Sequence, residues 1–177
     1  MTDREQTLNA AYVDEAFEYR EGVLYWKERP VHHFKDEWRQ RIFNSRQAGT
    51  EAGTLMHGYV QVRFSFGKVA AHRIIFLMHH GYLPKEIDHI DGNPSNNRIE
   101  NLRSATHAEN LRNGKVRCNS ASGITGVSFH KRTGKWAAGI RVDGKWKYLG
   151  VFPDKSLAAE VRREAEVKHF GEFVRGR

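Results

Sequence analysis

The sequence predicts an α+β protein built from short strands, tight turns and a few helices. Two-residue turn signals separate short alternating apolar runs, a pattern that is typical of β-hairpins. Apolar stripes with helical spacing follow several of these runs and end at glycine. In the middle of the chain, the polar series Asp91-Gly92-Asn93-Pro94 divides two strand-like segments.

Residues 1–70 are predicted to form an N-terminal β-rich lobe. A short helix is expected at residues 7–17, a hairpin at 18–26 and a second hairpin at 58–70, followed by an apolar helix at 71–80.

Two pairs of adjacent histidines, His32-His33 and His79-His80, fall in or next to these elements. No carboxylate or cysteine lies near either pair at the sequence spacing of a metal site. Both pairs are therefore predicted to be surface histidines or satisfied core histidines.

The centre of the chain predicts a strand, a polar turn, a return strand and a helix. Residues 86–90 and 101–104 are the expected strands, and Thr106 with Glu109 forms a capping-box pattern that begins a helix. Asn110 falls in the first turns of that helix. A hairpin crossed by a helix is expected to bring Asp88 and Asn110 to opposite sides of one cation.

The residue types of this segment indicate metal-assisted hydrolysis of a phosphodiester. Asp88 and His89 are adjacent, and the amides of Asn97, Asn101 and Asn110 follow them. Carboxylate and amide oxygens are ligands that Mg²⁺ prefers, and a histidine can accept a proton from water near neutral pH. The alternative is a polar turn that merely contains a buried histidine.

This segment resembles the HNH endonuclease motif in its ββα-metal form, as found in phage and intron-encoded homing endonucleases. The resemblance implies an HNH nuclease core at residues 71–113, with Asp88 and Asn110 as metal ligands and His89 as the general base. It also implies that Asn101 orients the loop or the base.

The same resemblance bears on the metal ion and on the approach of DNA. Asn110 stands where many members have histidine, and ligation by oxygen alone favours Mg²⁺ or Mn²⁺ and makes zinc unlikely. His72-Arg73 occupies the position of a His-Arg pair in related proteins, and Arg73 is expected to contact DNA.

Composition excludes several classes of protein. The 177 residues are 39% hydrophobic and 28% charged, and no apolar run approaches the length of a membrane span. Cys118 is the single cysteine, which excludes a disulfide within the chain and a cysteine-rich zinc site. A reducing cytoplasm is expected, that of the host cell if a phage encodes the protein.

Positive charge is concentrated in the last third of the chain. Residues 1–110 hold 14 Lys and Arg against 15 Asp and Glu; of the totals of 29 and 21, this leaves 15 and 6 for residues 111–177. A balance of −1 therefore precedes a balance of +9, which is typical of a module that binds a polyanion.

The basic segment predicts a three-stranded antiparallel sheet packed on one helix. Residues 114–122 are small and polar and are predicted to be a linker. Strands are expected at 125–131, 135–142 and 145–152, and a helix at 156–170.

Alternation assigns the side chains of this sheet to two faces. The apolar face, expected under the helix, comprises Val127, Phe129, Trp136, Ala138, Ile140, Val142, Leu149 and Val151, and the stripe on the helix comprises Leu157, Ala158, Val161 and Ala165. The open face and its turns present candidate DNA contacts: Ser128, His130, Lys131, Arg132, Lys135, Arg141, Lys145, Trp146 and Tyr148.

Residues 123–174 resemble the plant Apetala/ethylene-response-factor DNA-binding domain through Gly134-Lys135-Trp136, Ile140-Arg141 and Tyr148-Leu149-Gly150-Val151-Phe152. That resemblance implies that the sheet lies in the major groove of double-stranded DNA. Ile124-Thr125 replaces a pair in which many members carry an arginine that contacts DNA.

Together with these patterns, the two resemblances imply a homing-type HNH endonuclease that uses Mg²⁺ or Mn²⁺ and nicks one strand at a site selected by the basic sheet. A monomer is expected, although a homodimer is not excluded by any pattern in the sequence. The alternative is a DNA-binding regulator in which the HNH core serves only as a scaffold.

Overall fold

The computed structural model describes residues 8–113 and 122–173, so the predicted linker lies almost entirely outside the described residues. The chain forms two compact units, one ending at His107 and the other starting at Ala108. Both mix helices with antiparallel strands, which confirms the predicted α+β class. The domain boundaries drawn from the sequence stay predictions.

The first unit is organised around two hairpins and a three-stranded sheet of order β3-β4-β5. Its elements in chain order are α1 (Ala10–Ala16), β1 (Phe17–Arg20), β2 (Val23–Trp26), α2 (Glu37–Gln47), β3 (Thr54–Met56), β4 (Tyr59–Phe64), β5 (Gly67–Ala70), α3 (Ala71–His80), β6 (Glu86–His89), β7 (Leu102–Ala105) and the start of α4 (His107–Asn113). Short 3-10 turns cover Val31–His33 and Ile99–Asn101.

The helix α2 was not predicted from the sequence. Asp36 begins it by accepting a hydrogen bond from the Arg39 backbone N–H at 2.8 Å, as an N-cap residue does. None of its side chains is fully buried, so it has no continuous apolar stripe. Without that stripe, sequence periodicity contains no signal for the helix.

One apolar cluster joins all the layers of the first unit. Its largest fully buried side chains are Val13, Phe17, Leu24, Val62, Ile74 and Ile75. The same cluster extends to Ile87 on β6 and Leu102 on β7. The hairpin that carries the candidate catalytic residues therefore rests directly on the main core of the unit, which holds its backbone in place.

The second unit is an antiparallel sheet of order β10-β9-β8 packed on one helix, as predicted. The Asp154 side chain caps the helix by accepting from the Leu157 backbone N–H at 2.8 Å. Its elements are β8 (Val127–His130), β9 (Lys135–Val142), β10 (Lys145–Phe152), α5 (Lys155–Phe170) and a 3-10 turn at Gly171–Phe173.

Three residues of the predicted core of this unit are exposed instead, Phe129 at 45%, Val151 at 44% and Leu157 at 40%. The register between β9 and β10 shifts between Tyr148 and Gly150, so Val151 pairs with Ala137 on the open face and is 44% exposed. On the helix, Leu157 is exposed, whereas Arg162 is buried and donates from Nε to the Thr125 carbonyl at 3.1 Å. Strict alternation and helical periodicity do not reveal a bulge or a buried arginine.

Candidate active site

The hairpin β6–β7 positions the two central residues of the site. Its register places Asp88 opposite Arg103 and His89 opposite Leu102. The residues of β6 from Ile87 to His89 are buried, because the strand lies against the core of the unit. Two ionisable side chains are thus held where water has little access, a setting that strengthens electrostatic interactions.

Asp88 forms a buried ion pair with Arg103. The guanidinium contacts Oδ2 of Asp88 through Nε at 2.9 Å and Nη2 at 2.7 Å. The side chain of Asp88 is 4% exposed and that of Arg103 is 13% exposed. Burying a carboxylate without a partner costs several kcal/mol, and the arginine offsets that cost while it fixes the orientation of the carboxylate.

His89 is held by Asn97 at the far end of the polar turn. The Nε2 atom of His89 lies 3.1 Å from Oδ1 of Asn97, and both side chains are buried. An amide oxygen only accepts hydrogen bonds, so Nε2 carries the proton when the ring is neutral. The unprotonated nitrogen is then Nδ1, the atom that can act as a base.

Asn101 closes the loop between the two strands. Its Oδ1 accepts from the Asp91 backbone N–H at 3.0 Å, and its Nδ2 donates to Asp91 Oδ1 at 3.0 Å and to the Asn96 carbonyl at 2.8 Å. Burial alone would raise the pKa of Asp91, but hydrogen bonds from Asn96, the Asn93 backbone and Asn101 outweigh it and lower that pKa. Asn101 thus orients the loop, and Asn97 contacts the histidine.

The hairpin β1–β2 braces the segment that contains Asn97. The Ile99 backbone N–H donates to the hydroxyl oxygen of Tyr19 at 3.0 Å, and Arg98 forms an exposed ion pair with Glu21 at 2.8 Å. Gly22 has a φ of +91°, and a Cβ there would lie 2.9 Å from the Arg98 nitrogen. The N-terminal hairpin therefore packs backbone to backbone against this loop.

Two further rings surround His89. The His72 ring packs edge-on against it with centroids 5.0 Å apart, and the Tyr59 ring lies 6.2 Å away. Burial, followed by the nearby His89 and Arg73, lowers the pKa of His72 to about 3. His72 is therefore neutral at physiological pH. No role was assigned to either ring from the sequence.

Arg73 lies next to His72 at the start of α3. It donates to the Lys85 carbonyl at 3.5 Å and to the Pro84 carbonyl at 3.4 Å. These contacts tie α3 to the segment that leads into β6. Contact with DNA, as expected from the sequence, stays a prediction for this residue.

Asn110, the second expected metal ligand, lies on α4 beyond the boundary of the first unit. The helix begins at His107, whose Nδ1 is 2.8 Å from Oε1 of Glu86 on β6. The role of Asn110 in metal binding therefore continues to rest on the sequence motif.

The open face of the C-terminal sheet exposes every side chain that was singled out there. Trp146 is 58% and Tyr148 63% exposed, and the Trp146 ring lies over Gly139, where a Cβ would come within 2.2 Å of the ring. His130 is held by Thr133, whose Oγ1 lies 3.0 Å from its Nδ1. The other exposed members are Ser128, Lys131, Arg132, Lys135, Arg141 and Lys145.

Comparison with known proteins agrees with this geometry. A family model described as HNH endonuclease matches residues 69–112, which contain α3 and the β6–β7 hairpin. The chain is also 41% identical over 99 residues to Protein 3.8 of Escherichia phage T7, an alignment that covers 55% of this chain and 81% of that protein. The chain belongs to the HNH endonuclease family.

A second viral relative supports the same assignment. The chain is 31% identical over 116 residues to an uncharacterized HNH endonuclease, L560, of Acanthamoeba polyphaga mimivirus, covering 64% of this chain and 59% of that protein. No solved structure matches the chain. As an HNH endonuclease the protein is a nuclease whose substrate is DNA, and HNH nucleases generally depend on a divalent metal ion. The likeness of residues 123–174 to a plant DNA-binding domain stays a prediction.

None of the helices within residues 8–113 and 122–173 is long and apolar enough to span a bilayer.

Proposed function

We propose that the protein is a metal-dependent homing-type DNA endonuclease that nicks one strand at a site selected by its basic C-terminal sheet. The observation that carries this proposal is the buried contact between His89 and Asn97 beside the Asp88–Arg103 ion pair. A histidine whose tautomer is set by an amide oxygen, next to a buried carboxylate, suits hydrolysis better than a purely structural turn.

His89 is the general base. Asn97 keeps the proton on Nε2, so Nδ1 removes a proton from a water molecule as the water oxygen attacks the scissile phosphorus. The bond to the 3′ oxygen breaks, and that oxygen leaves with a proton from solvent. A neutral His72 next to His89 adds no competing positive charge during this transfer.

Asp88 and Asn110 are the ligands of a divalent cation, Mg²⁺ or Mn²⁺. Arg103 contacts Oδ2 of Asp88 and so orients the carboxylate that would hold the cation. The positive charge of Arg103 weakens binding, which suits an ion that retains waters and shares phosphate oxygens. When bound, the cation supplies Lewis-acid stabilisation of the charge that develops on the phosphate.

The basic sheet provides most of the DNA affinity and selects the site. Its exposed face combines cations that meet phosphates with Trp146 and Tyr148, whose rings can contact bases. Arg141 is the expected guanine or phosphate contact, and the lysines near the turns of the sheet, Lys131, Lys135 and Lys145, are expected to contact phosphates. Arg73 adds a contact near the cleaved bond.

We further propose that the protein acts as a monomer in the cytoplasm of the host cell. One chain carries one Asp88-His89 hairpin, which hydrolyses one phosphodiester for each encounter. Linking a nuclease unit to a DNA-binding unit raises the effective concentration of the first at its site without a second subunit. Nicking is the result expected of such an arrangement.

Cleavage of supercoiled DNA from the genome that encodes the protein tests this function. With Mg²⁺ or Mn²⁺ we expect open circles to accumulate before linear product, and we expect no cleavage with EDTA. Binding without cleavage would instead favour a regulator that uses the HNH core as a scaffold. Direct formation of linear DNA, together with a dimeric mass in solution, would contradict nicking by a monomer.

A further inference from the structure

A second group of ligand-type side chains lies in the N-terminal part of the first unit. Glu15 on α1 meets His32 and His33 in the 3-10 turn that follows β2. Its Oε2 atom is 2.9 Å from Nε2 of His32 and 3.0 Å from Nε2 of His33. The three ligand atoms all lie within 4.8 Å of one another. Glu15 lies 17 positions before His32 in the chain, so sequence spacing does not reveal this carboxylate.

The donor set is characteristic of a transition metal. Two imidazole nitrogens and one carboxylate oxygen form a common protein ligand set of Zn²⁺, with water in the fourth position. Hard cations such as Mg²⁺ prefer oxygen ligands and make poor use of two imidazoles. We propose that Glu15, His32 and His33 form a zinc-type metal site outside the nuclease core.

The two distances from Glu15 to the histidines are close to what a tetrahedral ion requires. Zinc bonds of about 2.0–2.1 Å place neighbouring ligand atoms about 3.3 Å apart. Each contact of Glu15 must therefore lengthen by only a few tenths of an ångström from 2.9 and 3.0 Å. Glu15 and His32 are 45% and 64% exposed and can make that adjustment, whereas His33, at 2% exposed, supplies a fixed anchor.

Arg29 limits how tightly the ion is held. Arg29 Nε donates to Nδ1 of His33 at 3.3 Å. Metal on Nε2 moves the ring proton to Nδ1 and breaks that long hydrogen bond. The site is therefore expected to bind with moderate affinity.

Metal at this position would join α1 to the turn after β2. His33 already stacks on Tyr12 of α1 with ring centroids 4.0 Å apart. A bound ion would add a coordinate link between the same two segments, so its expected effect is on the stability of the first unit. The nuclease chemistry of Asp88 and His89 does not use these residues, and the inference stands whether or not the proposed function is correct.

Cobalt absorption provides a direct test, since Co²⁺ with tetrahedral nitrogen and oxygen ligands absorbs visible light much more strongly than octahedral Co²⁺. The full-length chain, freed of any histidine tag, is titrated with Co²⁺ and then with Zn²⁺. We expect a visible band at one equivalent that zinc displaces. We also expect saturating zinc to raise Tm by roughly 5–10 °C.

Variants identify the ligands and separate this site from the nuclease. Glu15→Gln and His32→Ala change exposed side chains, so the variants should fold, and each should lose the band and the zinc-induced rise in Tm. His80→Ala, which removes another exposed histidine of the same unit, should retain both, and so should Asp88→Asn. A band that survives Glu15→Gln and His32→Ala, or that disappears in Asp88→Asn, would overturn the assignment, as would octahedral Co²⁺ throughout.

Discussion

In the unit that ends at His107, the polar side chains of the candidate site are buried, whereas in the unit that starts at Ala108 the candidate DNA contacts are exposed. Asp88, His89 and Asn97 lie beside a cluster that extends from α1 to β7. Within residues 122–173, the corresponding cluster of the C-terminal unit has three buried members, Val127, Ala138 and Ala158. All of the net charge of +8 lies in residues 108–177, which hold 15 Lys and Arg against 7 Asp and Glu, because residues 1–107 hold 14 of each.

The difference follows from what each surface has to do. A general base must be held in one orientation before the substrate arrives, and buried hydrogen bonds to a rigid core provide that. A surface that meets phosphates needs exposed cations on a firm backbone, for which a small sheet on one helix is sufficient. Substitutions in the first unit should therefore change the rate of cleavage, and substitutions in the second unit should change the affinity for DNA.

The largest effect is expected at Asp88. Asp88→Asn retains an oxygen for Arg103 but removes the negative charge needed by a divalent cation. We expect cleavage of supercoiled DNA to fall to less than about one-thousandth of the wild-type rate, because several kcal/mol of transition-state stabilisation are lost. DNA binding should be unchanged. A variant that folds normally and still cleaves with Mg²⁺ at a tenth of the wild-type rate would exclude Asp88 as a ligand.

His89→Ala should be nearly as damaging and equally confined to cleavage. Removal of a general base typically costs about 10²–10⁴-fold in rate, and the C-terminal sheet is untouched. Single-turnover cleavage and a binding isotherm on the same DNA measure the two quantities separately. Cleavage at the wild-type rate would assign the base to another residue, and a parallel loss of affinity would show that the two units are not independent in function.

Sequence patterns predicted most of the elements of both units, because hairpin turns and apolar helices are encoded locally. The strands of the C-terminal sheet at Lys135–Val142 and Lys145–Phe152 have the predicted bounds. The hairpin with Asp88 and His89 and the helix after it also form as expected. Each of these features depends on residues that are close in the chain.

Features that depend on distant residues were not predicted. The contact of Glu15 with His32 spans 17 positions, and that of Tyr19 with Ile99 spans 80. Neither leaves a periodic signal. Asn97 is one of several amides in this part of the sequence, and its contact with His89 depends on how the loop folds back. The bulge that exposes Val151 is likewise a property of strand pairing.

Acid should destabilise the first unit through His72. Its pKa is about 3 in the folded protein and about 6.5 when unfolded, so between these values the unfolded chain binds more protons. Stability is therefore fully present above pH 6.5 and is lost as the pH falls toward 3. Between pH 7 and pH 5 the wild type should lose about 2 kcal/mol more of its free energy of unfolding than His72→Asn. Denaturant titration measures these free energies. If the wild type and His72→Asn lose the same amount, His72 binds protons as readily in the folded protein as in the unfolded chain.

Removing two cations from the open sheet should affect binding but not the cleavage step. We expect Arg141→Ala combined with Lys145→Ala to make the slope of log K against log salt concentration less steep by about 2. DNA binding should weaken roughly tenfold. The matched control is Arg163→Ala with Lys168→Ala, which removes the same charge from exposed positions on α5. If the two double variants lose affinity equally, net charge rather than the sheet face determines binding.

The smallest effect tests whether the N-terminal hairpin braces the catalytic loop. Tyr19→Phe removes the oxygen that accepts from the Ile99 backbone N–H, while the ring keeps its edge-on contact with His79 at 4.6 Å. Loss of that half-buried bond should cost roughly 1 kcal/mol and lower Tm by about 4 °C. Cleavage should slow modestly, because the backbone beside Asn97 becomes less constrained.

The control is Tyr25→Phe on the neighbouring strand, which removes an exposed 3.4 Å contact with Glu51 and should change neither Tm nor the cleavage rate. Identical behaviour of the two variants would mean that the loop holds His89 without help from the hairpin.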